Sequence, residues 1–165
     1  CIRDSPTTAT DMFNVAVGFK AGEAITTGVK NVIIGGDAGD GAQTIDESVI
    51  IGYGAGSAVM TGHDNTIVGA SAGAVIAITT GDENTLVGYV AGDAVTTASQ
   101  NTFIGSNSGT ATTTGHDSVA VGAYSLRVNT VGANSVAVGY SALENQNPTT
   151  ATDCLLYTSP SPRDY

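Results

Sequence analysis

The chain of 165 residues contains no tryptophan, and its aromatic complement is three phenylalanines and six tyrosines. A globular core built on bulky aromatic side chains is thereby excluded. Basic residues are scarce: five Lys and Arg stand against fifteen Asp and Glu, a net charge of −10. Nucleic acids and anionic membranes are bound by clustered Lys and Arg, so neither is expected as a partner. No apolar run approaches the length of a membrane span, and no membrane insertion of this segment is expected. What is abundant is glycine, with 22 residues, together with Ala, Thr and Val. That composition suits tightly stacked strands with small side chains, within the length of one domain.

The glycines reveal a repeat. An apolar pair closed by glycine occurs at Gly18, Gly35, Gly52, Gly69, Gly88, Gly105, Gly122 and Gly139. The intervals are 17, 17, 17, 19, 17, 17 and 17 residues. Four residues before each glycine stands Asn or Ser: Asn14, Asn31, Ser48, Asn65, Asn84, Asn101, Ser118 and Ser135. Three residues after it stands Ala or Ser, then in six repeats a second glycine. The last two repeats place Leu126 and Leu143 there. A Thr-rich stretch and a polar turn complete each unit.

Seventeen residues are too few for a helix pair but fit one coil of a β-solenoid, read as two short strands and two turns. The apolar triplet before the glycine is expected to be the first strand. The segment from the Ala-Gly pair to the Thr pair is expected to be the second. The first glycine supplies a corner with positive φ or close backbone approach. The Asn and Ser suit the opposite corner, since Asn tolerates the left-handed conformation and stacked amides bond along a column. The two extra residues, within 74–83, are assigned to the loop side. The central triplet residue is Ala, Ile, Leu or Phe in every repeat, so both faces of that sheet are expected to be buried. One face packs inside the coil. The other requires copies of the same chain arranged around an axis.

The string Ser135-Val136-Ala137-Val138-Gly139-Tyr140-Ser141-Ala142-Leu143 resembles the head repeats of YadA-like trimeric autotransporter adhesins. The 17-residue form with Thr-Thr-Gly turns is also similar to repeats in bacteriophage tail fibres. The resemblance spans about 14–147. It implies a left-handed parallel β-roll (a β-solenoid) of eight coils, three chains per fibre, and a virion or bacterial outer-surface location. The YadA-like period is usually shorter, near 14 residues, which favours the phage-fibre side. Residues 1–13 are read as a flank where the fragment starts, and 148–165 as a disordered tail. Within that tail, 154–164 resembles a translated sequencing adapter and is set aside. With it excluded Cys1 is the only cysteine, and cysteine spacing gives no disulfide or metal site. The repeats lack visible caps, as expected of a piece cut from a longer fibre.

Candidate sites are few. His63 and His116 hold the same repeat position, inside Thr-Gly-His-Asp, about three coils or roughly 14 Å apart, and read as solvated turns. Asp37 and Asp40, in the Gly-rich stretch 35–41, suggest calcium, but the aspartates do not recur at one register. Asp46-Glu47 and Asp82-Glu83 read as solvated, aggregation-limiting charges. The Thr pairs at 26–27, 79–80, 96–97 and 113–114 raise an ice-binding alternative, against which Gln43, Met60 and Ala77 interrupt the row. No Ser/His/Asp set, phosphate loop or paired buried carboxylates are present, so neither catalysis nor a cofactor is expected. The expected function is structural and adhesive: a homotrimeric extracellular segment engaging a host-cell receptor, matrix or glycan. Ice binding and a non-catalytic piece of a fibre-borne enzyme are the alternatives.

Overall fold

Residues 13–58, 60–74 and 80–146, with a strand at 154–157, are described by a computed structural model. Val, Ile and Thr dominate the triplets before the repeat glycines, and each triplet is extended. The strands are β1 Val15–Val17, β2 Val32–Ile34, β3 Val49–Ile51, β4 Thr66–Val68, β5 Thr85–Val87, β6 Thr102–Ile104, β7 Val119–Val121 and β8 Ser135–Val138. Every strand pairs in parallel with the next in sequence, so sheet order equals chain order. Register advances by one repeat per strand: Ala16 opposes Ile33, Ile33 opposes Ile50 and Leu86 opposes Phe103. The protein is an all-β parallel solenoid in which each repeat forms one coil. The longer interval does not disturb this, since Ile67 still opposes Leu86. Its extra residues lie in 75–79, outside the described residues.

Among the described residues, the second strand expected in each coil is not formed. That side is a succession of tight turns, with one isolated parallel bridge between Ala42 and Met60. The cause lies in the backbone. The positions two and four residues after each corner glycine both adopt left-handed φ, as at Lys20 (55°) with Gly22 (61°), Asn107 (57°) with Gly109 (60°), and Tyr124 (60°) with Leu126 (48°). Two such residues bend the chain too sharply for a strand. Coil-to-coil bonding persists through the turns. The amide four residues after the corner donates to a carbonyl of the next coil in seven successive pairs, from Gly22 to Ala38 O (2.9 Å) through Leu126 to Ala142 O (3.0 Å).

Inside the coil, the central strand residues Ile33, Ile50, Ile67, Leu86 and Phe103 face the small column Ala38, Ala55, Ala72, Ala91 and Ser108. Each buried Ile or Leu contributes about 1.5–3 kcal/mol. Volume is shared between the strand centre and the position six residues later. Phe103 is followed by Gly109, where a Cβ would lie under 3.0 Å from three ring atoms of Phe103. Gly92 stands likewise against Leu86. Coils seven and eight invert the arrangement: Ala120 and Ala137 are the small centres, and Leu126 and Leu143 supply the bulk, with Leu126 fully buried.

Cys154–Tyr157 form β9, parallel to β8 with Val136 opposite Leu155. An open sheet edge offers unpaired N–H and C=O groups that any extended apolar segment can take up. The other tail residues from 147 onward, and the flank 1–12, lie outside the described residues.

Gly109→Leu alone is expected to destabilise the protein by about 2–4 kcal/mol in urea unfolding, through overpacking and left-handed strain. Adding Phe103→Ala should recover most of that loss, because the pair then reproduces Ala120 and Leu126. Simple additivity of the two substitutions would contradict the shared-volume account.

Candidate functional site

The predicted Asn and Ser column forms a continuous hydrogen-bonded spine. The backbone N–H of each member donates to the side-chain oxygen of the member one coil before, from Asn31 onto Asn14 Oδ1 (2.8 Å) through to Ser135 onto Ser118 Oγ (3.2 Å). Amide bonds run beside it: Asn84 Nδ2 donates to Asn65 Oδ1 and Asn101 Nδ2 to Asn84 Oδ1, both at 3.1 Å. The second amide hydrogen closes the coil. Asn14, Asn31, Asn65, Asn84 and Asn101 each donate to a carbonyl near the end of their own repeat, as Asn84 does to Ala98 O (2.8 Å). Serine members donate instead to the carbonyl two residues back, as Ser48 does to Asp46 O (3.0 Å). These polar side chains are buried from Asn31 onward, and the spine satisfies them.

The left-handed conformation expected at the Asn falls one residue earlier. Phe13, Lys30, Glu47, Asp64, Glu83, Gln100, Asp117 and Asn134 have φ between 50° and 61°. The Asn uses both faces of its amide in the spine, and the reversal is left to its neighbour. At the opposite corner the expectation holds. Gly18, Gly35, Gly52, Gly69, Gly88, Gly105, Gly122 and Gly139 have φ between 128° and 140°. From Gly18 to Gly122, a Cβ would lie under 3.0 Å from the carbonyl of the next corner glycine.

Burial on both faces of the strand layer is not met within one chain. The central residue points inward and is buried, while its neighbours point outward and are half-buried or exposed. Val15 and Val17 are 46% and 45% exposed. Strand side chains alternate between faces, so the apolar outer positions are a separate surface rather than a second wall of the core. Among the described residues, every exposed large hydrophobic belongs to the strands or brackets them: Phe13, Val15, Val17, Phe19, Ile34, Tyr53, Tyr89, Ile104 and Tyr140.

Two further columns run along the stack. Directly after the corner glycine, Phe19, Tyr53 and Tyr89 alternate with Gly36, Ala70 and Ser106. The signal is a two-coil period that a 17-residue alignment averages away. The second is an outward threonine file, Thr27, Thr44, Thr61, Thr80, Thr97 and Thr114, unbroken across the coils where the neighbouring file holds Gln43 and Met60. In that neighbouring file the Oγ1 groups of Thr26, Thr96 and Thr113 donate to carbonyls of the next coil.

Lys30, Asp46, Glu47, Asp64, Asp82, Glu83 and Asp117 line the spine corner, while Lys20, Glu23, Arg127 and Glu144 pair on the turn side. Lys30 bonds Glu47 across one coil step. That hydrogen bond, then the charge attraction, raises the Lys30 ammonium above its ordinary range and lowers the Glu47 carboxyl below its own. His63 Nδ1 lies 3.5 Å from Asp46 Oδ2, and His116 Nδ1 lies 2.7 Å from Asp117 Oδ2. The two histidines sit in separate coils, each half-exposed beside one carboxylate. Asp37 occupies a left-handed turn position, and among the described residues no three His, Cys, Asp or Glu side chains converge on a metal-sized site. No protein-family model, curated protein or solved structure matches the chain.

Asn84→Ala is expected to cost about 2–5 kcal/mol in urea unfolding, because Ala98 O and the Asn101 N–H lose their partners in a buried place. Asn84→Ser should cost clearly less, since Ser48 keeps the spine continuous at the same register.

Proposed function

We propose that the chain is a rod-forming, adhesive segment of an extracellular homotrimeric fibre, a phage tail fibre or bacterial surface adhesin head. The observation that carries this reading is the outer strand face. It is the one place among the described residues where large apolar side chains collect in the open, and it runs the length of the stack. Contiguous exposed apolar surface of this kind marks an association site. A closed ring of copies buries the same columns on every chain at one axis. Complete burial of an outward Val or Ile contributes about 1.5–3 kcal/mol relative to full exposure, so eight coils provide a strong cumulative drive. The outward threonines of β4, β5 and β6 fit the same packing, as small branched side chains on a pleated surface. The likeness of 135–143 to YadA-like head repeats supports three as the number of chains. Stiffness follows from the unbroken spine, and the acidic corner keeps neighbouring fibres apart. The fibre projects toward a host-cell receptor, matrix component or glycan.

The ice-binding alternative has one observation in its favour, the unbroken outward threonine file. It is a single file, and the adjacent hydroxyls are turned into the stack, so no flat two-dimensional array is offered. Thermal hysteresis in a freezing assay would raise this alternative above the fibre reading.

Light scattering after size exclusion should give the mass of three chains. Ile51→Lys with Val68→Lys should yield a folded single chain with unchanged far-ultraviolet dichroism. A wild-type protein that is monomeric at micromolar concentration contradicts the homotrimer.

A further inference from the structure

In the column directly after the corner glycines, an aromatic residue recurs at every second coil from coil one to coil five. Phe19 lies in coil one, Tyr53 in coil three and Tyr89 in coil five. Coil seven has Ala123 at this position and coil eight has Tyr140, while Tyr124 stands one residue later in the coil-seven turn. The interval is two coils, about 9–10 Å at the parallel-strand separation. Phe19, Tyr53 and Tyr89 are 72%, 68% and 60% exposed. Their neighbours along the column are small, which leaves gaps between the rings. At Gly36 an added Cβ would sit 3.4 Å from Cδ2 of Tyr53, so that ring leans over the preceding coil with its far side open. Tyr124 is braced edge-on by Tyr140, with ring centroids 5.8 Å apart and planes at 79°.

We propose that Phe19, Tyr53 and Tyr89 form a ladder of platforms for an extended, neutral, β-linked polysaccharide lying parallel to the stack. An aromatic face packs against the C–H face of a pyranose ring, while the sugar hydroxyls project sideways to polar groups. In a straight β-1,4 chain alternate sugars turn over, so the same face recurs every second unit. That repeat is of the same size as the two-coil interval. In coils four and six the backbone N–H groups of Ser71 and Asn107, residues with hydrogen-bonding side chains, donate to the carbonyls of Tyr53 and Tyr89. The net charge of −10 disfavours anionic polysaccharides. This deepens the adhesive reading and rests on it for the extracellular location, while the ladder itself needs only one chain.

The test uses the full chain, whose lack of tryptophan makes tyrosine fluorescence a direct reporter of the rings. Cellohexaose, chitohexaose and maltohexaose are titrated, and the mass is measured by light scattering on the same samples. At least one of the two straight β-linked hexaoses should bind, and the coiled maltohexaose should not. Tyr53→Ala and Tyr89→Ala should each weaken binding about five- to tenfold with no change in mass, while Tyr53→Phe retains it. The proposal is overturned if neither straight hexaose binds, if the alanine variants bind as the wild type does, or if those variants lower the mass and so place the rings between copies. Intact ring-dependent binding by a monomeric wild type would sink the homotrimer and leave the ladder standing.

Discussion

Successive coils meet so closely at the corner glycines that the α-carbon of one lies over the carbonyl of the next. Only a residue without Cβ fits there, and only a residue free to hold φ near 135° can turn the chain there. This contact sets the spacing and direction of stacking. Once one coil is placed on the next at that corner, the strand register, the turn-side bonds and the Asn spine follow with the same one-repeat offset. The structure is a quasi-one-dimensional stack in which each unit is supported by its neighbours.

The coil bends through backbone conformations that are unfavourable for most side chains. Val90, a β-branched residue, holds φ 58°, and Leu126 and Leu143 hold 48° and 52°. A left-handed residue other than glycine costs about 1–2 kcal/mol. Such residues persist because bonds between coils fix the backbone on either side of them. Val90 N donates to Ala70 O, and Leu126 N donates to Ala142 O. The Asn and Ser spine does the same at the opposite corner, where the residue before each member is held left-handed whether it is Lys30, Glu47 or Gln100. An isolated coil has none of these bonds, so the fold is expected to need several coils before it is stable.

Much of this was legible in the sequence because glycine and asparagine are the residues whose chemistry the corners demand. The glycine period located β1 to β8, and the Asn and Ser column located the spine. The left-handed residue before each Asn was not legible, because the spine enforces that conformation on many residue types and leaves no compositional mark. The missing second strand was hidden for a related reason: Ala-Gly and Thr-rich segments have strand-like composition, but the turns depend on paired left-handed positions that Lys20, Asn107 and Tyr124 occupy without signature. The exchange of volume between Phe103 with Gly109 and Ala120 with Leu126 reads as repeat irregularity until the two positions are seen to share one space. The outer strand face is left open by a single chain, as the apolar triplets imply when the covering partner is another copy.

The spine turns a string of short repeats into a rod with two kinds of surface, one apolar and sheet-like, the other polar and acidic. Its chemistry is passive: it fixes distances along the stack, and those distances give the outward columns their regularity. Amide hydrogen exchange at Asn65, Asn84, Asn101 and Ser118 tests this most directly. Their backbone N–H groups are predicted to exchange as slowly as those of the adjoining strand residues Thr66, Thr85 and Thr102, as members of the same cooperative unit. Rapid exchange at the spine amides, with the strand amides still protected, would contradict the claim that the Asn and Ser column holds the coils in register.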